Sequence, residues 1–500
     1  MTAAALAIAA AFVRPMERVV SMDPILSQSV YDCRAVQLVY ETPLEVDYKA
    51  RPYRLVPGLC ELPEVSPDGL VYTFRLREGS ALSSRDVVRA LERLRDPANA
   101  SPGGWTMKKV ASVSAPDART VEIRLSERYH VFPWMMAMGY AAVPLEDGSG
   151  TGPYLLKSWR RNHEMVFSRN PRWPGWSRTR DPGEPFDEVR YLVIGDVSTQ
   201  WLMFLRGEID FLGEISRDNW DAVVDGDGNL DAKLVAQGVR LFATPTLEVA
   251  YIGMNMRDPV LGRNRRLRQA LTSAFDFPTW RRFFNNRVEA ADGPVPRSVP
   301  EGRLDAPHPF PFDLARARAL MSEAGYPDGI DPATGRRLAL SLSLGRTDQD
   351  TRERGELLAS FFEKIGVRLE LSFSTWGAFM KAVNEGRVQM YVMGWVGDYP
   401  DAENFLQLFY SKNRSPGPNH SDYDNPAYDA EYEAAMASAT DAERSAHWVK
   451  CQEILREDCP WIFAHYAKSF SLVRPRVGNY VPGSFPYGQE KQLRLEGGLK

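Results

Sequence analysis

Five hundred residues are too many for one small domain and enough for two or three. With 44% hydrophobic and 25% charged residues, the composition is that of an ordinary soluble globular chain. A formal net charge of −4 excludes a basic field that would hold nucleic acid or an anionic membrane.

The chain opens on an apolar run, Ala3 to Val13. It is too short to span a bilayer, which takes roughly 20 apolar residues. It has the length and small-residue ending of a signal h-region, without the positive n-region. Residues 1–13 are therefore expected to be a partial export signal, with an alanine-rich tail as the alternative. Whether the segment is cleaved stays open. No cysteine follows closely, so no lipid anchor is expected.

Met22-Asp23-Pro24 starts a turn, and a helix pattern leads from it towards Leu38-Val39-Tyr40. Leu70, Tyr72, Phe74 and Leu76 alternate with Val71, Thr73, Arg75 and Arg77, the period of a half-buried strand. Ser83 and Asp86 form a capping box for a helix that buries Val87, Leu91 and Leu94 and stops at Asp96-Pro97. Val121, Ile123 and Leu125 alternate as another strand. Gly150-Thr151-Gly152-Pro153-Tyr154 lacks the Lys-Ser/Thr pair of a phosphate loop. Asp225 to Asn229 imitates the first half of a calcium loop. Leu230 and Ala236 stand where glycine and a bidentate glutamate are needed, so a turn is expected there.

Tyr251 to Asn255 begins a new unit, followed by a helix from Arg265 to Phe275. Asp313 caps a helix that turns Leu314, Ala317, Leu320, Met321 and Ala324 inward and stops at Gly325. Leu357, Leu358, Phe361 and Ile365 mark a helix ended by Gly366, and Val367 to Phe373 is the next strand. This helix–strand order predicts an α/β fold with largely parallel pairing. Tyr391-Val392-Met393 reads as a short buried strand. The loop after it crowds Asp398, Asp401, Glu403 and Asn404 among Trp395, Tyr399 and Phe405. A carboxylate just past a buried strand, walled by aromatics, suits capture of a cationic group, because a cation would offset the burial of the charge. A helix over His447 to Ile454 stops at Pro460, and Trp461-Ile462-Phe463 forms a strand. The last segment is rich in Gly and Pro and is expected to pack back on the first domain.

Of covalent chemistries, a carboxylate pair for glycoside hydrolysis stays open, although Asp398 and Asp401 stand three apart in one loop with no general acid visible. No Gly-x-Ser-x-Gly elbow occurs, and six histidines are scattered without a metal-binding pair. His447 and His465 read as structural. Cys33, Cys60, Cys451 and Cys459 make no zinc pattern; a Cys33–Cys60 disulfide and four buried thiols both stay open. No catalytic residue, metal or cofactor is expected.

Gly394-Trp395-Val396-Gly397-Asp398-Tyr399-Pro400-Asp401-Ala402-Glu403-Asn404-Phe405-Leu406 resembles the signature loop of the family 5 extracytoplasmic solute-binding proteins, the peptide-binding and related receptors of bacterial ABC importers. Val39-Tyr40-Glu41, Gly150 to Tyr154, Phe167 to Trp173, Arg206 to Phe211, Glu323 to Pro327 and Lys364 to Val367 continue the likeness, from about Met22 to about Tyr487. The resemblance implies a type II (cluster C) periplasmic-binding-protein-like α/β fold, with two hinged lobes and an extra domain inserted in the first. Lobe 1 would take residues 14–35, 145–245 and 468–500, the inserted domain 36–144, and lobe 2 residues 246–467. It implies a periplasmic, monomeric, non-enzymatic receptor that shuts over a peptide-like solute and delivers it to an ABC permease in the inner membrane. By the same match Gly394, Trp395 and Val396 would supply main-chain hydrogen bonds, and Asp398 would take the ligand's α-ammonium group. Ser27, Gln28 and Ser29 would pair with the ligand's other edge, and Tyr251 and Trp376 would wall the pocket. Val392 stands where some oligopeptide receptors place an arginine. That departure keeps open a non-peptide solute, such as a nickel complex, an opine or an oligosaccharide, and, further off, an enzyme on this fold.

Overall fold

The computed structural model describes residues 11–496, apart from Gln28, 179–180, 226–227, Asp305, Pro416, Ser484 and Pro486. The chain divides into two units, Met1–Thr244 with Ser469–Lys500, and Pro245–Lys468.

Unit 1 begins with β1 (Ala11–Met16), buried at every position. The last three residues of the expected export segment lie in this strand: Ala11, Phe12 and Val13 pair in parallel with Glu188, Val189 and Arg190. A short apolar run has the same composition whether it is an h-region or a buried strand. The rest of that segment, residues 1–10, lies outside the described residues. Ser29 caps α1 (Val30–Val39). That helix runs straight through residue 36, so the expected boundary between 35 and 36 falls inside it. Then follow β2 (Glu64–Val65), β3 (Val71–Arg75), α2 (Ser84–Arg95), β4 (Val110–Asp117) and β5 (Thr120–Leu125). Their four strands form a separate antiparallel sheet in the order β2-β3-β5-β4. The Ser83/Asp86 box caps α2, and Val87, Leu91 and Leu94 are buried.

The chain returns through β6 (Tyr154–Arg160), β7 (Glu164–Arg169) and β8 (Glu188–Val193), which complete a sheet in the order β1-β8-β7-β6. Phe12, Leu38, Tyr154, Phe167 and Val189 form its core with Val473, Val477 and Leu493 of the C-terminal segment. The expected calcium-like turn at Asp225 is held by the Asn229 N–H on Asp225 Oδ1 at 2.8 Å; residues 226–227 lie outside the described residues.

Two long strands cross between the units: β9 (Arg240–Met254) and, near the end, Trp461–Val473. Both extend well beyond the short apolar stretches that mark them in sequence. Unit 2 is built from α3 (Arg265–Ala274), α4 (Leu314–Glu323), β10 (Ala339–Leu344), α5 (Gln349–Glu363), β11 (Arg368–Phe373), α6 (Trp376–Asn384), β12 (Met390–Val396), α7 (Pro426–Ala437), α8 (Asp441–Asp458) and β13 (Trp461–Val473). The sheet order is β13-β9-β12-β10-β11. Pairing is parallel between β10 and its neighbours β11 and β12, and antiparallel between β9 and β12. The largely parallel sheet expected from the helix–strand order is therefore mixed. Strands that carry the chain in and out of the unit run in opposite senses, which a count of helices and strands does not reveal. Helices cover the sheet through Leu267, Leu271, Leu320, Phe361 and Phe362, packed with Ile365 of the following turn on Leu342, Leu344 and Met390. All four cysteines are buried as thiols.

One turn in this unit has no room for a side chain. Gly366 has φ +82°, and a Cβ there would strike the Asp328 carbonyl oxygen. A left-handed L-residue costs about 1–2 kcal/mol before any clash. Gly366→Ala is expected to lower unit stability by at least about 1 kcal/mol, read as a lower urea midpoint at unchanged m-value.

Candidate functional site

The site grows from the end of β12. Along one side β12 is paired with β9 over its whole length, from Met254↔Met390 to Glu248↔Val396. On its other side β10 stops early, at Leu344↔Val392. Beyond that point Met393–Val396 have no neighbouring strand on that side among the described residues. The Gly397 N–H donates to Leu247 O at 2.6 Å. Bonded and non-bonded residues alternate along an antiparallel ladder. Trp395 and Met393 therefore turn their main-chain groups towards β9, and Gly394 and Val396 turn theirs to the open side. Both are exposed, Val396 at 49%. Of the expected trio Gly394, Trp395 and Val396, Trp395 thus spends its main-chain groups on β9, while those of Gly394 and Val396 face the open side.

Trp395 has another task. Its Nε1 donates to Asn404 Oδ1 at 2.9 Å, and the Asp398 N–H donates to the same oxygen at 3.2 Å. Asn404 is fully buried and so ties the loop to the strand end. Gly397 permits the turn, because a Cβ there would stand 2.8 Å from the Phe405 ring. Of the loop's three carboxylates only Asp398 is exposed. Desolvation by the surrounding loop pushes its carboxyl up to about 6; Asn404 opposes the rise and the charge of Glu403 adds to it.

Asp401 and Glu403 are internal. Glu403 accepts hydrogen bonds from Tyr399 and, at 2.8 Å, from the Tyr432 hydroxyl. Asp401 Oδ1 accepts the Glu403 N–H at 2.9 Å. Glu301 lies beside Asp401, and burial, then that like charge, push its carboxyl up to about 7 against the pull of Arg444. Arg444 Nη2 donates to Glu301 Oε1 at 3.2 Å. These acids hold the loop in place and leave Asp398 as its open charge.

Next to the open edge lies a cavity of about 350 Å³, lined by Glu248, Tyr251, Arg346, Arg354, Trp376 and Gly394 among others. The structure thus gathers three of the sequence candidates, Tyr251, Trp376 and Gly394, at one place. Tyr251 is mainly core: it is 1% exposed and stacks on Trp461 with ring centroids 3.3 Å apart. Trp376 is the opposite, 57% exposed at the start of α6. Glu248, Arg346 and Arg354 were not singled out by sequence reasoning. Isolated charges on a strand or after one carry no spacing signal; Glu248 is visible only as the partner of Val396 across the ladder. Its Oε1 stands 3.5 Å from where a Cβ of Gly394 would be, and burial raises its carboxyl. Arg354 Nη2 is engaged with Asp350 at 2.7 Å, whereas Arg346 is exposed just past the end of β10. His465 also lines the cavity; burial, helped by Arg354, pushes it down to about 3, so it is neutral and accepts the Trp280 indole N–H at 3.1 Å.

In unit 1, Ser27 is fully buried and its Oγ has no hydrogen-bond partner among the described residues. Ser29 Oγ accepts the Asp32 N–H at 3.2 Å and caps α1. Gln28 lies outside the described residues. No group of three or more His, Cys, Asp or Glu that could hold a metal ion occurs among the described residues. No helix among them is long and apolar enough to cross a membrane.

Known proteins resemble this arrangement over nearly the whole chain. Haem-binding protein A of Haemophilus influenzae is 25% identical over 90% of this chain and 86% of its own length. A probable di/tripeptide-binding protein 5 of Pseudomonas aeruginosa is 24% identical over 90% and 88%. The structure of NikA from Brucella suis in complex with Fe(III)-EDTA superposes with a TM-score of 0.82 at 21% identity, covering 97% of this chain and 100% of that one. The fold is therefore the two-lobed, type II periplasmic-binding-protein-like fold. Residues 54–417 match the family described as bacterial extracellular solute-binding proteins, family 5 Middle. That is a family of transport receptors and not of enzymes, and this chain belongs to it.

Proposed function

We propose that the protein is the monomeric receptor of an ABC importer and captures a short peptide with a free amino terminus. The observation that carries the reading is the open edge at Gly394 and Val396 with Asp398 just beyond it. An extended peptide laid there would continue the sheet in the place that β10 leaves at Leu344. The four edge residues Met393–Val396 span about 14 Å at ~3.4 Å each, room for two or three residues of ligand. Its ammonium group would meet Asp398, and the exposed Arg346 at the far end suits its carboxylate. The cavity lined by Glu248 and Trp376 is placed for a side chain. A haem or a metal chelate, as in two of the relatives, has no main chain to align with such an edge.

Val396→Pro tests this. It removes an N–H that faces the open side and leaves the β9 ladder its bonds, a tolerated place for proline. Titration of the tightest binder from a di- and tripeptide panel is expected to show about tenfold weaker affinity, with the melting temperature nearly unchanged. Unchanged affinity would remove strand addition from the account.

A further inference from the structure

The cavity beside the open edge holds an acid with no counter-charge. Glu248 stands on β9 directly opposite Val396, and Ala250 opposite Gly394. Partners across a ladder, and residues two apart along a strand, share one face of the sheet. Glu248, Ala250 and Ile252 therefore face the same way as Gly394 and Val392, and all five line the cavity. Glycine at 394 leaves the space over the Glu248 carboxylate open. Glu248 is half-buried, and among the described residues no hydrogen bond or ion pair reaches its carboxylate. The cations of the cavity wall are engaged elsewhere. Arg354 pairs with Asp350 at 2.7 Å and lies 5.4 Å over the Phe284 ring. Against desolvation, the hydrogen bonds of Thr351 and then the charge of Arg346 hold the Asp348 carboxyl below its usual range, so Arg346 answers that acid. Asp398 is shifted by burial, Asn404 and Glu403, and Glu248 by burial alone, so neither of these two carboxylates acts on the other. A half-buried carboxylate without a partner is costly, and a cation brought to it offsets that cost. Trp376, 57% exposed on the same cavity wall, adds an indole face that attracts cations.

We propose that Glu248 is a specificity residue and that the solute side chain it selects is cationic, a lysine or an arginine. The stem of such a side chain would pack on Ala250 and Ile252 while its charged end meets the carboxylate and the indole. An acidic side chain would meet a like charge there, and an apolar one would cover Glu248 without pairing it. The proposal rests on the peptide reading above for the identity of the solute; the cation site itself does not.

The test compares wild type with Glu248→Gln, which keeps the shape of the side chain and removes its charge. One arm titrates Ala-Ala-Ala carrying a single lysine at each position in turn, each against its norleucine twin, which keeps the stem and lacks the charge. At one position wild type is expected to bind lysine about tenfold more tightly than norleucine, and Glu248→Gln to bind the two alike. The second arm needs no peptide. Replacing sodium chloride with n-butylammonium chloride at equal ionic strength should raise the wild-type melting temperature by about 1–2 °C relative to Glu248→Gln. In sodium chloride Glu248→Gln should melt no lower than wild type, because the charge it removes has no partner. Tripeptides that fail to bind at all, with the butylammonium difference present, would sink the peptide reading and leave the cation site standing. Binding of the tripeptides with no lysine preference at any position, a preference that survives in Glu248→Gln, an equal butylammonium response in the two proteins, or a Glu248→Gln variant that melts lower in sodium chloride overturns the proposal.

Discussion

Asp398→Asn is expected to weaken binding of an amine-bearing peptide by about 2–3 kcal/mol at pH 7, some 30- to 150-fold. The substitution keeps the size and polarity of the side chain and removes the charge. The loop should hold its shape, because the Asn404 side-chain oxygen also holds the Asp398 main-chain N–H. Acidity gives the same assignment a second signature. The Asp398 carboxyl is raised to about 6. A bound ammonium needs the carboxylate form, so affinity should be level above that value and fall about tenfold per unit below it. At the alkaline end the ligand's own amine, with a pKa near ~8, loses its proton. Wild type is expected to give a bell between pH 5 and 9, and Asp398→Asn only the alkaline limb. The effect on folding has the opposite sense. A carboxyl raised above its unfolded value makes the charged form unfavourable in the folded chain, so stability is regained as pH falls through about 6. Calorimetric titration across this range reads the binding limbs, and thermal melts read the stability change.

Glu403→Ala should leave the solute's contacts in place and damage their support. The buried Glu403 carboxylate holds the hydroxyls of Tyr399 and Tyr432. Both tyrosines are buried. Removing the acceptor leaves two hydroxyls without it, each worth about 1–3 kcal/mol. A loss of roughly 3 kcal/mol in unfolding free energy is expected by urea titration. Tyr432→Phe, which removes one donor and leaves the other, should lose less. Equal stability of wild type and Glu403→Ala would mean that this carboxylate does not order the loop.

The loop that carries the site is legible in the sequence because its residues break rules together: apolar strand, glycines, crowded acids and aromatics within sixteen positions. Helix starts at Ser83 and Asp313 are equally legible, since a cap is chemistry between near neighbours. What the sequence hides is decided across the chain. The open edge exists because β10 ends at Leu344, about fifty residues before Val392 meets it. Asp398 and Glu403 look alike as letters; only packing against Tyr399 and Tyr432 makes one internal and leaves the other open. Residues 11–13 show the reverse case, an apolar stretch whose composition fits a signal segment and a buried strand equally well.

The most direct measurement incubates the protein with an equimolar mixture of di- and tripeptides and their N-acetylated counterparts, recovers it by gel filtration, and identifies what acid releases by mass spectrometry. Retention of free-amine peptides at unchanged mass, with their acetylated twins left behind, is the predicted result. Equal retention of acetylated peptides, or release of hydrolysed products, would contradict it.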